Sequence, residues 1–160
     1  MLKFDRPDEQ APIIKVIGVG GGGSNAVSYM YTQGIKGVDF YICNTDSQSL
    51  NKCEVPNKIR LGNTGLGAGA NPTVGREAAI LIADDIREIL STNTSMLFIT
   101  AGMGGGTGTG ATPIIAQIAK ELGILTVGII TKPFGFEGRK REKQAEAGID
   151  IVGPSDMMDG

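Results

Sequence analysis

The chain has 160 residues, a formal net charge of −2 and an ordinary apolar fraction of 41%. It is long enough to bury one sizeable core and lacks the basic excess that nucleic acid or an anionic membrane surface demands. Its two cysteines, outside any C-x-x-C spacing, and the absence of histidine argue against a zinc site and for free thiols in a reducing compartment.

The charged start, Met1-Leu2-Lys3-Phe4-Asp5-Arg6, and apolar runs no longer than a strand predict neither a secretory leader nor membrane insertion, so a cytoplasmic location is expected. Residues 1–12 read as a polar lead-in. Ile13-Ile14-Lys15-Val16-Ile17-Gly18-Val19 is a β-rich run that ends in Gly20-Gly21-Gly22-Gly23-Ser24-Asn25. A helix carrying Ala26, Val27 and Met30 is predicted from there to about Gln33. Gly18-x-Gly20-x-x-Gly23 satisfies the dinucleotide fingerprint, although a tight strand-to-helix turn accounts for the same glycines. The next strand, Val38-Asp39-Phe40-Tyr41-Ile42-Cys43-Asn44, ends in Thr45-Asp46, which puts a carboxylate roughly where a ribose-binding acid would sit.

Lys58-Ile59-Arg60-Leu61 reads as a short strand. Residues 62–72 are small and without apolar period, so they read as a mobile loop, with Asn71-Pro72 opening the next helix. From Thr73 to Leu90, the residues Val74, Ala78, Ile82, Ile86, Ile89 and Leu90 recur at helical spacing opposite a charged face, predicting one long amphipathic cover helix.

Ser95-Met96-Leu97-Phe98-Ile99-Thr100 is strand-like and leads into ten residues dominated by glycine. A helix is expected after them, with Thr112 as cap, Pro113 at the first helical position, and Ile114, Ile115, Ile118, Ala119 and Leu122 on one face. A glycine loop between a strand and a helix is the geometry of an anion site, because first-turn amides lack backbone acceptors and carry positive partial charge. Thr107 and Thr109 add hydroxyl donors. No lysine lies between Met103 and Gln117, so this is not the common G-x-x-x-x-G-K-[ST] phosphate loop and backbone amides must do most of the binding. Leu125-Thr126-Val127-Gly128-Ile129-Ile130-Thr131 is nearly continuous in apolar residues, as a central parallel strand covered on both faces would be. A further helix is expected from Phe136, where Glu137 and Arg141 share a face as a helical ion pair. Strands alternating with helices predict an α/β fold, a doubly wound, Rossmann-like parallel sheet with helices on both faces.

The run Gly104-Gly105-Gly106-Thr107-Gly108-Thr109-Gly110, flanked by Met103 and Ala111, resembles the glycine-rich signature of the tubulin and FtsZ family of GTPases. The resemblance extends from about Ile13 to about Gly148, which delimits a nucleotide-binding domain of residues 13–148. It implies GTP or GDP as ligand, with Mg²⁺ accompanying GTP. It also implies that residues 104–110 cradle phosphates and that the stretch Gly20, Gly21, Gly22, Gly23, Ser24 and Asn25 contacts diphosphate and base. By the same resemblance Ala70 and Asn71 belong to a loop that closes over the γ-phosphate, and Glu137 and Arg141 hold the ribose and phosphate side.

A head-to-tail homopolymer of FtsZ subunits, acting in cell division and septation at the division site, follows from the same resemblance. Residues 149–160 depart from the family pattern and contain two glycines and a proline, so they are expected to form an unanchored end. The chain then reads as an amino-terminal nucleotide-binding half with no catalytic residue and no metal ligand of its own. Water activation is expected from acidic residues of a neighbouring subunit, and the chain alone should bind without efficient turnover. A non-enzymatic module that caps such filaments is the alternative. An NAD-dependent oxidoreductase, resting on residues 18–23 alone, is a remote one.

Overall fold

The computed structural model describes residues 13–131 and the backbone of 157–159. The elements follow as β1 (Ile13–Val19), α1 (Gly20–Thr32), β2 (Val38–Asn44), α2 (Ser47–Lys52), β3 (Asn57–Arg60), α3 (Pro72–Leu81), α4 (Ala83–Ser91), β4 (Thr94–Gly102), α5 (Thr107–Glu121), β5 (Leu125–Thr131) and β6 (Met157–Asp159). The strands form one sheet in the order β3-β2-β1-β4-β5-β6, and every pairing is parallel. This is the doubly wound arrangement expected from alternating strands and helices.

Alternation along the strands divides the core into two layers. Val16, Phe40 and Ile42 pack with Val27 of α1 and Leu50 of α2. Ile17, Val19, Leu97 and Ile99 pack with Ala79 of α3, Ile86 and Leu90 of α4, and Ile115 and Ala119 of α5. Helices therefore cover both faces, and each fully buried Ile or Leu contributes on the order of 1.5–3 kcal/mol through removal from water.

Five expectations are corrected. The helix after β1 starts at Gly20 itself rather than after a loop reaching Asn25, because a side chain at Gly23 would collide with the Thr100 carbonyl, and one at Gly18 with that of Gly23. Glycine lets the first turn lie directly on the sheet. The second glycine helix starts at Thr107, so Pro113 sits inside it, and Thr112 has a buried hydroxyl without a hydrogen-bond partner instead of a capping one. The long cover helix is two helices that meet at Ile82 (φ −111°, ψ 25°). The break rotates the buried face onto Gly75, Ala79, Ile86 and Leu90, leaving Val74 41% exposed. Finally, β5 is not central: β1 and β4 hold the middle of the sheet, and within β5 only Gly128 and Ile130 are buried. Its outer neighbour is β6, where Met157, Met158 and Asp159 pair with Gly128, Ile129 and Ile130. Three residues of the end expected to be unanchored are thus hydrogen-bonded into the sheet. The helix expected from Phe136 lies outside the described residues.

The amino-terminal end of the sheet is closed by Lys15. Its side chain is buried at 3% exposure, and Nζ donates to the carbonyls of Ile89 at 2.6 Å and Thr92 at 2.9 Å. Those carbonyls end α4, where a cation meets the negative pole of the helix. Burial lowers the Lys15 pKa, and the charge of Asp39, its register partner on β2, offsets part of that.

Candidate functional site

In a sheet of this strand order the connections after β1 and β4 leave in opposite directions, which opens a crevice at the carboxyl ends of those two strands. A cleft of about 340 Å³ lies there, lined by Val19, Gly20, Gly21, Gly22, Gly69, Ala70, Gly102, Gly104, Gly105, Gly106, Thr107 and Gly108. Nine of the twelve are glycines, so the surface of the cleft is mostly backbone.

Two helices begin at its edge. Neither α1 nor α5 has a side-chain cap, and neither has an acidic residue in its first turn. First-turn amides therefore face the cleft without a side-chain acceptor, and the positive poles of two helices converge on a space that no charged side chain lines among the described residues. Such a place binds anions, above all phosphate.

The glycines divide by what demands them. Gly20 (φ 75°) and Gly104 (φ 110°) adopt a backbone conformation that favours glycine. Gly106, Gly108 and Gly110 are packing residues: a Cβ on Gly106 would stand 2.6 Å from the Gly69 carbonyl oxygen, one on Gly108 2.6 Å from that of Gly102, and one on Gly110 would strike the Pro72 carbonyl. Gly21 differs from all of these. Among the described residues a Cβ there would meet nothing within 4 Å, so packing does not require glycine at this position, which borders both the cleft and an adjoining groove.

Of the residues expected from the sequence, the cleft brings together Gly20, Gly21, Gly22, Ala70, Gly104, Gly105, Gly106, Thr107 and Gly108. Ser24 and Asn25 line an adjoining groove of about 600 Å³ that shares Gly21 with the cleft and runs along α1 toward Ser49, Lys52 and Glu54. Gly23 and Gly110 lie against backbone, as described above. The Asn71 side chain caps α3, accepting from the Thr73 amide at 3.0 Å. The Thr109 hydroxyl accepts from the Gly104 amide at 2.7 Å, bracing the turn from within. Glu137 and Arg141 lie outside the described residues.

The Asp46 carboxylate is engaged as the cap of α2, accepting from the Gln48 amide at 2.9 Å and the Ser49 hydroxyl at 3.1 Å. Gly69 belongs to the loop that the resemblance places over the γ-phosphate, whereas Val19 and Gly102, the last residues of β1 and β4, had no signal of their own. A third contribution was equally hidden: the Thr45 hydroxyl lies 2.9 Å from that of Thr107, a pairing across the fold that no local pattern reveals.

The described residues contain no group of three or more His, Cys, Asp or Glu side chains placed to hold a metal ion, and no helix long and apolar enough to cross a membrane. Cys43 and Cys53 are free thiols. Cys43 is fully buried, which raises its pKa from 9.0 to about 12.

Residues 13–154 match the model of the tubulin/FtsZ family, GTPase domain. The chain is 56% identical over 149 residues to the cell division protein FtsZ of Pseudomonas putida, covering 91% of this chain and 37% of that protein. It is 54% identical over 156 residues to the FtsZ of Coxiella burnetii, covering 96% and 40%. Among solved structures, an empty FtsZ dimer from M. jannaschii superposes with a TM-score of 0.84 at 42% identity, covering 88% of this chain and 42% of that one. The chain thus spans about two-fifths of the length of the curated relatives it matches.

Proposed function

Because the chain belongs to the tubulin/FtsZ family, we propose that it binds GTP and GDP with their phosphates in the cleft between β1 and β4. The observation that carries this reading is the meeting of two helix amino termini, uncapped and free of acids, on a cleft walled by glycine backbone. Gly21, Gly22 and residues 104–108 hold phosphate oxygens through amides and helix poles, while Thr107 supplies a hydroxyl. Ala70 stands at the rim next to Gly69 and closes on the terminal phosphate. Asn25, in the adjoining groove, reaches the nucleoside, and Glu137 and Arg141 complete its ribose and phosphate side. Mg²⁺ accompanies GTP and is held chiefly by phosphate oxygens and water.

On this reading the chain provides the cradle and a neighbouring subunit provides the acidic residues that activate water, so hydrolysis belongs to the head-to-tail polymer. The protein acts as a subunit of a cytoplasmic cell-division filament at the septum. The alternatives of a filament cap and an NAD-dependent oxidoreductase gain no specific support from the cleft or the relatives.

Calorimetric titration of the chain with GDP and with NAD, each with and without Mg²⁺, tests the reading. GDP is expected to bind and NAD not to compete. Preferential binding of NAD would overturn it.

A further inference from the structure

We propose that Thr45 is a positioning residue for the phosphate cleft, holding the Thr107 hydroxyl so that it donates into the cleft. The inference rests on the nucleotide reading above and adds to it a residue that does not line the cleft.

Thr107 opens α5 and borders the cleft. Thr45 follows β2 and borders a different pocket, beneath the loop that carries Leu61, Gly62 and Leu66. Their hydroxyl oxygens are 2.9 Å apart, and the two residues are only 3% and 8% exposed. Two threonine hydroxyls carry two O–H protons, and one hydrogen bond between them uses one. Neither hydroxyl has a second partner among the described residues. A buried O–H without an acceptor is costly, so the remaining proton has to be directed at something beyond the pair.

Two arrangements exist. If Thr107 donates to Thr45, the remaining proton points from Thr45 toward the loop pocket. If Thr45 donates to Thr107, it points from Thr107 toward the cleft. An anionic phosphate oxygen in the cleft selects the second, because a hydrogen bond to a charged acceptor is the stronger one. Thr45 then fixes the rotation of the Thr107 hydroxyl without touching the ligand.

The test is a double-mutant cycle read by calorimetric titration with GDP. Thr45→Val should weaken binding about tenfold, the scale of one charge-assisted hydrogen bond, and Thr45→Ser should remain within about twofold of the unaltered chain. Thr107→Val should weaken binding at least as much, and adding Thr45→Val to it should change nothing further. A merely structural role for Thr45 would lower thermal stability without this coupling. If Thr45→Val does not fold, Thr45→Ala is read the same way. Unchanged affinity in the Thr45 variant, or losses that multiply in the double variant, would overturn the proposal while the nucleotide reading stands. Failure of the unaltered chain to bind GDP would overturn both.

Discussion

At the amino end of the sheet a charged side chain is enclosed with two of its donors matched to carbonyls, whereas at the carboxyl end the surface around the cleft is mostly backbone and no side chain caps α1 or α5. Lys15 meets the carbonyls of Ile89 and Thr92, so the carboxyl pole of α4 is neutralised from inside the protein. The amino poles of α1 and α5 meet only a glycine-walled cleft. Both ends therefore carry helix-pole electrostatics, one satisfied by the chain itself and the other left for a ligand. A helix terminus answered by its own protein is structural, and one left facing a cleft is a binding element.

The largest effect should come from breaking the wall of the carboxyl end. A methyl group on Gly110 would strike the Pro72 carbonyl and stand 2.6 Å from the Arg76 amide nitrogen. Both are backbone atoms of α3, so neither can swing aside. Gly110→Ala should destabilise the fold by about 3 kcal/mol, the upper part of the usual overpacking range, as read by denaturant unfolding. Binding should be lost only as far as folding is.

Breaking the amino end should separate stability from binding. Lys15→Met keeps most of the buried volume and leaves two carbonyls without their donor, for an expected loss of about 2 kcal/mol. GDP affinity, measured under conditions in which the variant is folded, should be unchanged. A parallel loss of affinity would show that the two ends are not independent.

A third effect is confined to alkaline solution. The Cys43 thiol has its pKa raised from 9.0 to about 12 by full burial, so the unfolded chain loses its proton before the folded one does. The stability from this group is complete below pH 9 and declines as pH rises through about 12, with a slope of at most about 1.4 kcal/mol per pH unit. Lys15, whose pKa burial lowers, acts in the opposite direction, since its unfavourable charge is relieved in the folded state first. Cys43→Ala should therefore flatten the alkaline decline relative to the unaltered chain in melting experiments across this range. In native protein the half-buried Cys53 should react with a thiol reagent well before Cys43.

Much of this architecture was legible in the sequence. The run from Ile13 to Val19, the run from Val38 to Asn44 and the run from Leu125 to Thr131 are strands with the expected bounds, because runs rich in apolar, β-branched and aromatic residues say so locally. The position of the cleft was legible too, since the residues that line it largely fall in the two glycine stretches. What was not legible is set by contacts between distant segments. Thr112-Pro113 is a sound local signal for a helix start, yet α5 starts at Thr107 because Gly106, Gly108 and Gly110 let it press against backbone from three other segments.

The same limit explains why glycines in both stretches read as loop when they are helical, and why the helix break at Ile82 was invisible. It also explains the division of labour among the threonines. Thr107 and Thr109 look equivalent in sequence, but Thr107 faces the cleft while the Thr109 hydroxyl is bonded to the Gly104 amide.

Gly21 separates phosphate binding from folding, because it borders the cleft at a position where packing leaves room for a methyl group. Among the described residues no atom outside its own helical turn lies within 4 Å of a Cβ placed there, and replacing a helical glycine by alanine ordinarily stabilises by roughly 0.5–1 kcal/mol. The measurement is GDP affinity by calorimetry, paired with the melting temperature of the free protein, for Gly21→Ala against the unaltered chain. The account predicts an equal or slightly higher melting temperature together with affinity reduced by about tenfold or more, because the methyl group occupies space that a phosphate would use. Unchanged affinity at an unchanged melting temperature would contradict it, and would mean that the phosphates do not lie against Gly21.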